Sequence, residues 1–263
     1  MDERKKHFVL VHGACHGAWC WYKVATLLRA EGHKVSALDM AASGIHPKLA
    51  EQVSSMEEYN EPLTEFMAAL PADEKVVLVG HSIGGVNVSL AMESFPHKIS
   101  VAVFVTASMY GPDLSFLAVQ QEFHRQLESN MDQKTQYSKG KDNEDRPVSV
   151  LFGNETLEKL IYQLSPPEDL TLAKLLVRGL PLFEDGNGEG YAVTKEKYGS
   201  VKRAYVVCGK DKLSKEEYQR WVIHMNPPDE VCLIPDADHV PMFSQPHQLC
   251  SSLQLISQKY HHC

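Results

Sequence analysis

None of the six cysteines of this 263-residue chain (Cys15, Cys20, Cys208, Cys232, Cys250 and Cys263) belongs to a C-x-x-C pair. So sparse a set is no disulfide framework, and the expectation is reduced thiols in the cytoplasm. Basic clusters are missing as well: the longest is Arg4-Lys5-Lys6, and 34 acidic against 26 basic residues leave a formal charge of -8. A phosphate backbone has little to attract it, so no nucleic-acid partner is expected. No apolar run approaches membrane-spanning length, and the four residues Phe8 to Val11 are too few for a signal-peptide core, so no membrane partner is expected either. Free linkers, internal repeats and low-complexity tracts are absent too. What remains is 43% hydrophobic and 23% charged, the balance of a folded chain with one large core.

Short β-rich runs recur at His7 to Val11, Lys34 to Leu38, Lys75 to Val79, Ile99 to Thr106, Arg203 to Cys208 and Glu230 to Ile234. They are nearly continuous in Val, Ile and Leu, which predicts strands covered on both faces. Amphipathic stretches lie between them, such as Trp19 to Glu31, Pro62 to Leu70 and Gln248 to Tyr260. This alternation predicts an α/β fold with a mostly parallel sheet flanked by helices. It breaks between about Gly111 and Tyr198, where helical pieces (Leu114 to Leu127, Leu157 to Leu164, Glu168 to Val177) surround the polar tract "DQKTQYSKGKDNEDRP". No convincing strand is legible there. The expectation is a core from 1–110 and 199–263, with 111–198 as a mainly helical cap insertion containing a mobile loop.

Gly80-His81-Ser82-Ile83-Gly84 matches G-x-S-x-G, with the strand-like "KVVLV" before it and the helix-like "IGGVNVSLAMESF" after it. A strand turning directly into a helix forces the serine into a strained conformation, and side chains at the flanking glycines would collide with neighbouring elements. A hydroxyl becomes nucleophilic only when a base takes its proton and an acid holds that base's tautomer. Among 13 histidines, His239 follows the last predicted strand in "LIPDADHVPM", on the edge where Ser82 emerges. Asp211 follows Arg203 to Cys208 and is the preferred acid; Asp113 is its rival, while Asp236 and Asp238 stand too near His239 in sequence to orient it easily. His12-Gly13, directly after the first strand, fits the H-G segment that supplies one oxyanion-hole amide, here Ala14, with Ile83 supplying the other. A metal at His12 and His16 is disfavoured, because i, i+4 spacing suits a helix and this segment leaves a strand.

The segments "HFVLVHGACHGAWCWYKV", "EKVVLVGHSIGG", "YQLSPPEDLTLAKLLVR" and "DHVPMFSQP" resemble the plant methylesterase and hydroxynitrile lyase group of the α/β-hydrolase superfamily, nearly along the full length. The resemblance implies the α/β-hydrolase fold, a triad of Ser82, His239 and Asp211, homodimers, and no metal or organic cofactor. Its lyase members resemble one another in a threonine where this chain has Gly13 and a lysine where it has Val240, so the ester-cleaving side of the group is favoured. The substrate expected is a small carboxylic ester, a methyl ester of a plant hormone or alkaloid precursor. Two alternatives stand beside it, a small-ligand receptor on a hydrolase scaffold and a cyanohydrin lyase. No tryptophan occurs in the polar tract, where several methylesterases place one over the substrate. Gly13, Met109, Tyr110, Tyr162, Leu182 and Val240 are the expected substrate-lining residues.

Overall fold

The computed structural model describes residues 5–127, 131–139, 144–183 and 191–260. Six strands form one sheet: β1 (His7–Val11), β2 (Lys34–Leu38), β3 (Val76–His81), β4 (Ile99–Val105), β8 (Arg203–Cys208) and β9 (Glu230–Ile234). They lie in the order β2-β1-β3-β4-β8-β9, and every adjacent pair is parallel. The near-continuous apolar runs have a simple cause. Successive side chains point to opposite faces, so Val9 and Val11 join one core with Leu78 and Phe104, while Phe8 and Leu10 join a second with Val77, Val79 and Val103. The edge strand β9 departs from double coverage, leaving Val231 and Leu233 exposed.

Helices α1 (Tyr22–Ala30) and α7 (Pro246–Lys259) cover the second face through Val24, Leu28, Leu249, Leu253 and Ile256. Helices α2 (Met56–Ala69), α3 (Gly84–Ser94) and α6 (Glu216–Met225) cover the first. Helix α2 begins six residues before the predicted Pro62, because the Ser55 side chain caps it by accepting from Glu58 N–H at 3.1 Å. The chain passes from β1 outward to β2 and returns across to β3. That reversal opens a crevice at the carboxyl ends of β1 and β3, where Gly13 and Ser82 emerge.

The segment between β4 and β8 corrects one expectation. It holds helices α4 (Phe116–Gln126) and α5 (Pro167–Leu176), but also a second, antiparallel sheet of β5 (Gln133–Lys139), β6 (Asp145–Phe152) and β7 (Leu180–Pro181) in the order β5-β6-β7. The polar tract read as a mobile loop thus forms much of a hairpin; residues 140–143 of it lie outside the described residues. The hairpin is hard to read because β5 is exposed along most of its length and has no apolar alternation. Pro147, which argues against a strand, pairs with Tyr137 beside an irregularity at Gln136/Tyr137, beyond the reach of β7.

Candidate active site

Strand β3 ends at His81 and helix α3 starts at Gly84, so Ser82 occupies the turn between them with φ 53°. That left-handed conformation costs a side-chain-bearing residue about 1–3 kcal/mol. Backbone bonds hold it there: Ser82 N–H donates to Val105 O at 3.2 Å, and Ser108 N–H donates to Ser82 O at 3.0 Å. The flanking glycines are explained by close approach. A Cβ at Gly84 would lie 2.6 Å from His12 O, and one at Gly80 would lie 2.6 Å from the Val88 side chain.

His239 Nε2 lies 3.2 Å from Ser82 Oγ, and its Nδ1 lies 2.7 Å from Asp211 Oδ2. A carboxylate only accepts, so Nδ1 carries the proton and Nε2 presents its lone pair to the hydroxyl. Asp211 accepts on both oxygens, from Thr106 Oγ1 at 2.6 Å and from the Leu213 and Ser214 amides at 2.8 Å each. The rival Asp113 is instead paired with Lys195 at the surface. Asp238 Oδ2 accepts from Leu164 N–H and Ser165 Oγ, tying the His239 loop to the inserted segment. His81 Nε2–H donates to His239 O at 2.6 Å and so anchors the backbone of His239. Neither Thr106 nor His81 is among the residues singled out from sequence. Thr106 was within reach, since it directly follows a strand paired with the one leading to Asp211.

The segment after β1 places Ala14 and Ile83 on the wall of the same cavity as Ser82. The Ala14 and Ile83 amides take part in none of the turn and loop backbone bonds of this region. The Gly13 carbonyl, which shares a peptide plane with the Ala14 N–H, accepts from His12 Nδ1 at 2.8 Å; Met40 N–H donates to His12 Nε2 at 3.1 Å and sets that tautomer. A trans peptide directs its N–H opposite its carbonyl, so the Ala14 N–H is aimed away from His12. Such an arrangement can move a proton off the hydroxyl and offer two amides to a developing oxyanion.

Three histidines packed around this site, His12, His16 and His81, are buried, and loss of hydration holds each below the usual 6.5, His16 down to about 4. The unfolded chain therefore binds protons below pH 6.5 that the folded one does not. Stability is fully present above 6.5 and falls as the pH drops, by about 1.4 kcal/mol per unit for each histidine down to its folded pKa. Urea midpoints should thus decrease steadily between pH 7 and pH 5; a flat profile would contradict the buried neutral assignment.

The cavity holding Ser82 has a volume of about 250 Å³. Its core side is formed by Ala14, Cys15, Ser82, Ile83, Thr106, Ser108, Leu213 and Ser214, and its other side by residues of the inserted segment, among them Phe116, Phe123, Val150, Phe152, Leu180 and Leu182. Among the described residues, no Asp, Glu, Lys or Arg lines it. Of the expected lining residues only Leu182 is on this wall. Gly13 lies behind it, where a Cβ would sit 2.9 Å from Ser82 Cβ; Val240 is fully buried and donates its N–H to Asp238. Met109 and Tyr110 are buried in the first core, their carbonyls taken by the Asn226 amide. Tyr162 turns into the second core, against Phe243 and His16. Their positions after a strand end and within the insertion did not reveal which way the side chains turn.

Residues 8–251 match the profile of the Alpha/beta hydrolase family. Methyl jasmonate esterase 1 of Vitis vinifera is 54% identical over 261 residues, covering 99% of this chain and all of the relative. A crystal structure of polyneuridine aldehyde esterase is 42% identical with a TM-score of 0.91, over 96% of this chain and 99% of that one. That of tomato methylketone synthase I with 2-tridecanone is 46% identical, also with a TM-score of 0.91, over 97% and 99%. With the parallel sheet, the strained serine turn and full-length likeness agreeing, the chain belongs to the α/β-hydrolase family and, within it, to the group of plant methylesterases.

Proposed function

We propose that this protein is a serine carboxylesterase that cleaves a methyl ester of a small, uncharged plant hormone or alkaloid precursor. The observation that carries this reading is the hydrogen-bonded run from Ser82 through His239 to Asp211, opening on an apolar cavity. Ser82 Oγ attacks the ester carbonyl while His239 Nε2 takes its proton, and the Ala14 and Ile83 amides receive the oxyanion. His239 then passes the proton to the departing methanol, and a water activated by His239 releases the acid. Residues 111–198 act as the cap over this chemistry and 1–110 with 199–263 as the core that bears it. A wall whose described residues include no carboxylate, lysine or arginine suits the neutral ester better than its anionic product, which favours release.

Purified protein offered methyl jasmonate, methyl salicylate, methyl indole-acetate and alkaloid methyl esters should release far more than one equivalent of methanol per chain from at least one of them. One equivalent or less across the panel would sink the reading and favour a ligand receptor instead. Cyanohydrin cleavage is disfavoured, since Gly13 supplies no hydroxyl where the lyases of the group carry threonine, and Val240 supplies no charge for departing cyanide. Two further expectations belong to this proposal. A cytoplasmic location is supported by five described cysteines that are all free thiols. A homodimer follows from the resemblance to the group and is tested by sedimentation.

A further inference from the structure

Two carbonyls flank the catalytic amide of Ala14, and the second of them is held from the inserted segment. His16 Nδ1 lies 2.8 Å from Ala14 O, and its Nε2 lies 2.6 Å from Tyr162 Oη. A carbonyl can only accept, so Nδ1 must carry the proton; Nε2 of the neutral ring is then an acceptor, and Tyr162 O–H must donate to it. Both residues are buried; the imidazole runs nearly parallel to the Trp19 ring, at a centroid distance of 5.2 Å, and meets the nearly coplanar Tyr162 ring at its edge, with centroids 5.8 Å apart. The next residue is tethered to the same segment: Cys15, at φ 64°, donates its thiol to Val150 O at 3.4 Å and accepts Arg178 N–H on its carbonyl at 3.0 Å. Nothing at this site puts Tyr162 or His16 on the wall where a substrate would lie.

We infer that Tyr162 and His16 are positioning residues for the oxyanion hole, a relay through which the inserted segment fixes the direction of the Ala14 N–H. The inference rests on the esterase reading, and on Ala14 as an oxyanion donor. With His12 holding the peptide plane before Ala14 and His16 holding the one after it, neither dihedral at Ala14 is free to turn. If His16 is lost, the second plane is released and the amide loses its aim. If only the Tyr162 hydroxyl is lost, Ala14 O still selects the Nδ1–H tautomer, but the buried Nε2 loses its partner and the ring is held less firmly. Both changes weaken an interaction made chiefly in the transition state, so they act on kcat and leave substrate binding alone.

The test compares H16A, H16N and Y162F with the parent on the best methyl ester, together with the inhibition constant of the matching N-methylamide as a ground-state mimic. We expect H16A to lower kcat by about 10- to 100-fold and Y162F by about 3- to 10-fold, with KM and the amide's constant within about twofold of the parent. H16N, whose side-chain amide can replace the Nδ1 donor, should recover most of the H16A loss. The inference is overturned if H16A and Y162F keep the parental kcat, if their losses appear in KM and the amide constant, or if H16N recovers nothing. Y162F removes a single oxygen and keeps the ring packed against Phe243, so it decides the matter should H16A not fold. An S82A variant as active as the parent would instead bring down the esterase reading, which separates the two failures.

Discussion

Ser82→Ala is expected to lower kcat on any methyl ester by about 10⁵- to 10⁶-fold while leaving the fold intact, because nucleophile, base and acid act as one unit. The Ser82 hydroxyl faces the cavity and lies 3.2 Å from His239 Nε2, the nitrogen that accepts its hydrogen bond. The substitution leaves the backbone bonds of the turn in place, since they involve Ser82 N–H and O and not its side chain. An alanine at this position would share the strain of φ 53°, so S82A should gain no stability, whereas Ser82→Gly should be equally inactive but no less stable than S82A, having no Cβ to strain. Rates from product release under saturating ester and urea midpoints of the three proteins decide this. An S82A protein within a hundredfold of the parent would remove the serine from the mechanism.

Asp211→Asn should cost about 10⁴-fold in kcat, although it changes one atom. The carboxylate receives four donors, two at each oxygen: His239 Nδ1 and Thr106 Oγ1 on one, the Leu213 and Ser214 amides on the other. An asparagine has a single acceptor oxygen and must turn its NH2 toward one of those pairs. If the amide oxygen keeps the two backbone donors, the NH2 faces His239 Nδ1 and draws the imidazole into the opposite tautomer, with its proton on Nε2. That nitrogen can then no longer accept from Ser82. Asp113→Asn provides the contrast: its carboxylate is an exposed partner of Lys195, and its loss should change kcat by less than about twofold. If D211N retained more than a tenth of the parental rate, or D113N lost as much as D211N, the acid would have been misassigned.

Much of this site could be read from the chain because its parts obey local rules. The turn that lifts Ser82 needs a strand, a bracket of glycines and a helix within about twenty residues, and all three are written contiguously from Lys75 to Ser94. His239 and Asp211 were found by position at the ends of strands, since a parallel sheet delivers every such end to one edge. The hairpin of the insertion was not legible, because its strands carry little apolar alternation and Pro147 argues against a ladder that tolerates it only beside an irregularity. Tyr162, Met109 and Tyr110 show a different gap. Their places in the chain were consistent with the cavity wall, yet neighbouring packing turned each into a core.

By itself, then, the chain determined the alternating architecture and the candidates Ser82, His239 and Asp211 for the proposed chemistry, since propensity, spacing and strand order are properties of short segments. Tertiary structure decided which donors converge on Asp211, that His81 anchors His239 through its backbone, and that Tyr162 serves His16 and not the substrate. Those outcomes depend on bonds between residues more than a hundred positions apart, Thr106 to Asp211, His81 to His239 and His16 to Tyr162. A hydrogen bond forms only where distance and angle are met within a few tenths of an ångström, and no pattern along the chain encodes that meeting.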